Sequence, residues 1–114
     1  MGRDVVDTVL PLTVGSFHIL LALAGGERHG YVIAQDIERE TEGAVVLGTA
    51  TLYRTIKQLL ADGWITETSR EQSDARRRAY RLTPRGRKVA EAEAARLDKL
   101  VRIARERRLL PARV

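Results

Sequence analysis

Residues 49–65 read TATLYRTIKQLLADGWI, and two periods meet in them. Leu52, Ile56, Leu59 and Leu60 recur at i, i+4, i+7 and i+8, which gathers them on one side of an α-helix. The helical pattern stops at Gly63. Trp64-Ile65-Thr66-Glu67-Thr68 follows, with the β-branched and aromatic content of a strand. The spacing therefore predicts a helix over roughly 49–62 and a strand directly after it. Opposite the apolar stripe stand Ala50, Thr51, Arg54, Lys57, Gln58 and Ala61. Small residues alternate there with hydrogen-bond donors, so this face suits a close approach to a DNA groove. Arg pairs with guanine through two bonds and Gln with adenine, while Thr and Lys reach phosphates. Tyr53 lies at the flank, its ring placed to pack and its hydroxyl free to extend toward a phosphate. A polar face is also what any amphipathic surface helix shows, so the neighbouring elements have to decide between the two readings.

Downstream, a polar loop from Ser69 to Arg77 separates the first strand from a second, Arg78 to Leu82, and the short connection predicts an antiparallel hairpin. The loop ends in Arg76, Arg77 and Arg78. Between Arg70 and Lys88 there are eight basic and two acidic residues, whereas the other 95 residues sum to −1 out of a net +5. The positive charge is therefore local, as a phosphate-contacting wing requires. A run of arginines is often only a solvated surface; it gains meaning here from following the polar-faced helix.

Thr83-Pro84 has the composition of a helix start, Thr as N-cap and Pro in the first turn. The helix it opens can run to about Leu109, with Pro111 beyond. Ala90, Ala94, Leu97, Val101 and Ala104 fall at alternating spacings of four and three, with Val89, Leu100 and Ile103 alongside, as in a narrow coiled-coil seam. A helix of that length spans about 38 Å, more than so small a domain can cover. The expectation is a homodimer joined along this helix, with Val89, Ala90, Ala94, Leu97, Leu100, Val101 and Ala104 in the interface.

Upstream, Phe17, Leu20, Leu21 and Ala24 are helically spaced within Val14–Ala24, and Ile19 and Leu23 fill the flanks. A helix apolar on most of its circumference is expected at the centre of the core. Gly25-Gly26 ends it. A second helix is predicted from about Gly30 to Thr41, burying Ile33, Ala34, Ile37 and Thr41 and facing Gln35, Asp36, Glu38 and Arg39 outward. Val45-Val46-Leu47 then leads to Gly48. GGERHG, residues 25–30, has neither the preceding strand nor the Lys-Ser or Lys-Thr of a phosphate-binding loop, and reads as an interhelical turn. The order of helix, helix, helix, hairpin and long helix defines a mainly α, α+β-class winged helix-turn-helix. Residues 1–82 form the expected DNA-binding domain, with 1–13 as an N-terminal extension, and 83–114 the dimerisation helix.

Composition narrows the function. With no cysteine and two histidines, His18 and His29, at no ligand spacing, the chain has neither thiolate chemistry nor a metal site to offer. Nothing in it assembles a catalytic constellation, so neither an enzyme nor a cofactor is expected. At 44% hydrophobic residues it is globular in composition. Its longest apolar run, Ile19 to Ala24, is far shorter than the roughly 20 residues a membrane-spanning helix needs. A soluble, cytoplasmic protein without membrane contact is expected. Trp64 reads as a core plug beneath the hairpin.

Three segments carry a family resemblance: HGYVIAQDI (29–37), TLYRTIKQLLADGWI (51–65) and RAYRLTPRGR (78–87). In that order the chain resembles the PadR-type regulators, and with its short final helix their compact subgroup. The resemblance implies a homodimeric repressor without enzymatic activity that binds double-stranded DNA at a pseudo-palindromic operator. It also implies that Thr51, Tyr53 and Arg54 face DNA, with Arg76, Arg77 and Arg78 in or beside the wing; with Thr49, Lys57 and Gln58 from the same helix, these make up the expected DNA-contacting set. Some relatives also bind a small-molecule effector; the drug-binding ones carry an aromatic on the dimer helix, and residues 84–114 contain no Phe, Trp or Tyr. A second reading stays open on the residues alone, a winged-helix module that binds another protein through the last helix.

Overall fold

The computed structural model describes residues 5–68 and 77–112. Its elements are a 3-10 turn at Val5–Val9 and helices α1 (Val14–Ala24), α2 (Gly30–Glu40), α3 (Thr49–Ala61) and α4 (Pro84–Glu106). With them are strands β1 (Arg28–His29), β2 (Ile65–Glu67) and β3 (Ala79–Leu82). Each boundary has a local cause. The Thr13 hydroxyl accepts the Ser16 amide at the start of α1 (3.2 Å). Thr41 shapes the exit from α2: its hydroxyl donates to the Ile37 carbonyl (2.8 Å) and accepts the Val45 amide (3.0 Å). Gly63, at φ +77°, ends α3; its amide and that of Trp64 donate to the carbonyls of Leu60 and Leu59.

The three strands form one antiparallel sheet in the order β1-β3-β2. Ile65 faces Leu82 and Glu67 faces Tyr80 across the hairpin, while Arg28 pairs with Tyr80 and His29 with Ala79 on the other side. The core joins Ile19, Leu20 and Leu23 of α1 to Ile33 and Ile37 of α2 and to Leu52, Ile56 and Leu59 of α3. Trp64, Tyr80 and Val89 close it from the sheet and α4. This is a winged helix-turn-helix carrying a long final helix, the class and element order that the sequence predicts.

The root of α4 is fixed by backbone contacts. Thr83 accepts the Gly86 amide through its hydroxyl oxygen (3.0 Å) and donates that hydroxyl to the Gly63 carbonyl (2.7 Å). Its own amide donates to the Trp64 carbonyl (3.1 Å). Gly86 lies so near Trp64 that a Cβ on it would fall 1.9 Å from that same carbonyl oxygen. The Thr-Pro-Arg-Gly start of α4 is thus docked onto the end of α3 and the beginning of β2.

Several expectations need correction. Asp36 does not face outward: it is 8% exposed and ion-paired to Arg28 (3.4 Å) and Arg39 (2.6 Å). Those two arginines make its burial tolerable. The stretch 25–30 is more than a turn, since Arg28–His29 adds a third strand to the sheet. α1 lies at the centre of the core, but two residues of its expected apolar stripe stay outside: Leu21 is 46% exposed and Ala24 is also at the surface. α4 ends at Glu106 rather than near Leu109. Arg108 adopts φ +61°, and the Leu109 amide turns back to the Ala104 carbonyl (2.8 Å), closing the helix with the geometry glycine usually supplies. Val89, expected in the dimer seam, is buried in the protomer's own core. The described part of the N-terminal extension, residues 5–13, is less featureless than its sequence: Val6 and Leu12 pack on the core, and the Leu12 amide donates to Glu93 of α4 (2.7 Å).

Candidate nucleic-acid interface

The exposed side of α3 follows from its buried side. Leu52, Ile56 and Leu59 are sunk in the core, so Thr49, Ala50, Thr51, Arg54, Lys57, Gln58 and Ala61 are turned to solvent. Arg54 and Lys57 make no ion pair with any described residue, and their charges are available to an external anion. Gln58 is not equally free; its amide donates to Asp62 one turn on (3.1 Å). Thr55 is tied to the Thr51 carbonyl (2.7 Å). Tyr53 is half-buried, with its ring against the core. Gly48 takes the N-cap position without a side-chain bond.

The second part of the surface is the hairpin. Arg77 is exposed, whereas Arg78 is half-buried and pairs with Glu67 across the strands (3.6 Å). Arg76 lies outside the described residues. The root of the wing is therefore fixed by an ion pair, and its outer charges begin at Arg77. Tyr80, between β1 and β2, has its hydroxyl pushed above the ordinary phenol range, first by burial and then by the Glu67 carboxylate, with Arg78 opposing. It is a neutral structural group. The Gly30 amide donates to the Arg78 carbonyl (3.1 Å), which sets the start of α2 beside the wing root. His29 and Tyr31 lie there with ring centroids 5.9 Å apart, both exposed. No periodic signal marks His29, because a two-residue strand is too short to show alternation, and Tyr31 lies in the first turn of α2, off its buried stripe.

Of the seam residues, Leu100 and Val101 are 50% and 40% exposed, Ala94 is exposed, and Ala90, Leu97 and Ala104 are half-buried. Glu93, on the flank of the seam turned toward the protomer's own core, is buried at 2% exposure and hydrogen-bonded by Arg96 and by the Leu12 amide. The Arg96 bond chiefly, with help from the Leu12 amide and against the effect of burial, holds its carboxyl below the usual carboxylate range. A signal for this was present in the sequence: Gly86, Val89 and Glu93 are spaced three and four apart, which puts the acid on the buried stripe.

Among the described residues no three His, Asp or Glu side chains gather as metal ligands, and no helix is long and apolar enough to cross a membrane. Surface charge and shape are what this region has to work with.

Known proteins share both sequence and architecture with the chain. Residues 19–92 match the profile of the transcriptional regulator PadR-like family. A transcriptional regulator of Mycobacterium tuberculosis is 34% identical over 85 residues, covering 75% of this chain and 77% of its own. Among solved structures, a transcriptional regulator from Clostridium thermocellum superposes with a TM-score of 0.68 at 26% identity, over 91% of this chain and 97% of its own. Bacillus subtilis PadR, solved in complex with operator DNA, superposes at 0.61 with 25% identity, over 72% of this chain and 47% of its own.

Proposed function

The chain belongs to the PadR-like family of transcriptional regulators, and is thereby a regulator and not an enzyme; from that premise we propose that it is a homodimeric repressor reading a pseudo-palindromic operator in double-stranded DNA. α3 enters the major groove and the hairpin rests on the adjoining backbone. The observation that carries this reading is the exposed pair Arg54 and Lys57, without an ion-pair partner among the described residues, on a helix whose other side is locked into the core. Thr49, Thr51 and Tyr53 border them, and Arg77 extends the cationic surface from the wing. Bacillus subtilis PadR, a relative of the same fold, was solved in complex with operator DNA, which supports a DNA-binding reading.

Arg54 is the base-reading residue and Lys57 a phosphate contact. Gln58 reads a base only by exchanging its bond to Asp62 for one to adenine. Arg77 and Arg76 hold phosphates. Arg78, paired with Glu67, supports the wing and lends its charge without leaving that partner. The dimer forms along Ala90, Ala94, Leu97, Leu100, Val101 and Ala104, with Val89 assigned to the protomer core. Two α3 surfaces related by a two-fold axis then meet half-sites about 34–36 Å apart.

Gel retardation of the DNA upstream of the protein's own gene, against a scrambled duplex of the same length, tests this. The expected result is specific retardation whose affinity falls steeply with added salt, because each neutralised phosphate releases counterions. Equal retardation of both duplexes removes the operator reading. No retardation of either at moderate salt points instead to a winged helix that binds proteins.

A further inference from the structure

β1 is only two residues long, yet it ties the wing to the body of the domain. Arg28 pairs with Tyr80 and His29 with Ala79, and the Gly30 amide donates to the Arg78 carbonyl (3.1 Å). β3, the return strand of the wing, is therefore held along both edges. On the β2 side the Gly63 turn fastens it to α3. On the β1 side stand these few backbone bonds, and so short a strand does not keep its place by pairing alone.

What fixes β1 is the Arg28 side chain. Its guanidinium lies against the turn that ends α1, where Cβ atoms on Gly25 and Gly26 would fall 3.4 and 3.1 Å from its nitrogens. Its Nη1 donates to the Glu27 carbonyl (2.8 Å), and its Nε faces the Asp36 carboxylate of α2 at 3.4 Å. Arg39, 70% exposed, completes the partners of that carboxylate from the solvent side. A line of contacts thus runs from the middle of α2 through Asp36 and Arg28 to β1, and from β1 through β3 to the base of the wing beside Arg77.

Asp36 is a buried acid on a helix that otherwise packs through Ile33 and Ile37, and the exposed face of α3 makes no use of it. We propose that Asp36 is a positioning residue for DNA binding: by holding Arg28 it locks β1 onto α2, and through β3 it sets the wing, with Arg77, in a fixed place beside α3. This rests on the DNA-binding reading above and adds to it a residue that acts from inside the protein. The direction of one effect separates it from bulk charge. Removing an acid from a cationic protein strengthens its attraction to a polyanion; removing Asp36 is expected to weaken it, because the wing loses its anchor.

Fluorescence anisotropy of the full chain with the duplex upstream of its gene, over a range of salt concentrations, tests the inference, and circular dichroism confirms that each variant is folded. Asp36→Asn should weaken binding about three- to tenfold and reduce the slope of log affinity against log salt by about one, as the loss of one phosphate contact does. Glu38→Gln, the same change of charge at an exposed site of α2, should not weaken it. Combined with Arg77→Ala, Asp36→Asn should cost little more than either alone, because both release the same wing contact; combined with Arg54→Ala, the two factors should multiply. Arg28→Ala leaves Asp36 paired with Arg39 and should reproduce both the loss and its coupling to Arg77, so it carries the test even if Asp36→Asn does not fold. Variants at Asp36 and Arg28 that bind as the wild type does, or whose losses multiply with that of Arg77→Ala, overturn the positioning role and leave the DNA-binding reading intact. A wild-type chain that binds no duplex overturns both.

Discussion

The exposed face of α3 and the root of α4 are both narrow strips of one helix, yet they differ in what restrains them. At the root the backbone and the buried acid are pinned: Thr83 bonds Gly63, Trp64 and Gly86, Gly86 leaves no room for a Cβ, and Glu93 holds Leu12 and Arg96. On α3, Arg54 and Lys57 touch no charged partner among the described residues. The root specifies the fold and tolerates little change. The α3 face contributes little to stability, and so is free to be shaped by what it binds. Mutations at the two places should therefore separate: stability lost without altered preference at the root, and altered preference without lost stability on α3.

The largest effect is expected from Gly86→Ala. Its methyl group would lie 1.9 Å from the Trp64 carbonyl oxygen, and because the obstacle is backbone, α4 or the start of β2 must move. A loss of about 3 kcal/mol or more is expected in chemical denaturation. A wild-type midpoint would show that the root is more pliable than its contacts imply. Glu93→Ala comes next. It strips the Leu12 amide of its acceptor and leaves Arg96 without its carboxylate, at about 2–3 kcal/mol. The carboxyl is held below its ordinary range, so its stabilisation is present at neutral pH and is lost as pH falls through the folded-state value. Wild-type stability should thus fall more steeply on acidification than that of Glu93→Gln; parallel curves would remove Glu93 from this role.

On the other side of the comparison, Arg54→Ala should leave the thermal midpoint within experimental error, as a change at an exposed position. It should also narrow the gap between operator and mismatched DNA by about 1–3 kcal/mol, measured by fluorescence anisotropy. If its stability falls as far as that of Glu93→Ala, the two regions do not divide as described. The smallest effect belongs to Arg77→Ala, which should weaken all sequences alike and reduce the slope of log affinity against log salt by about one.

The same contrast governs how much could be read before any coordinates. α3 was legible because four apolar residues repeat in one period, and an exposed face is simply what that stripe leaves over. The hairpin and the Thr83-Pro84 start were legible from composition. The partners within the root were not. Gly86 reads as an ordinary weak point in a helix until Trp64 is seen beside it, since their approach spans a loop whose path the sequence does not state. Charge alone suggests an exposed Asp36, while Arg28, the partner that allows its burial, lies on a strand too short to recognise. The end of α4 is not visible in the sequence, because Arg108, in a left-handed conformation, carries none of the glycine signal that marks Gly63. Sequence periodicity reports faces; it is silent on contacts between elements.

Hydroxyl-radical footprinting on the DNA upstream of the gene tests most directly whether paired α3 surfaces read the duplex. Two protected patches, one helical turn or about 34–36 Å apart, are predicted, both fading when Arg54 and Lys57 are replaced by alanine. A single patch, or two that persist in that variant, would contradict the assignment of α3 as the reading surface of a symmetric dimer.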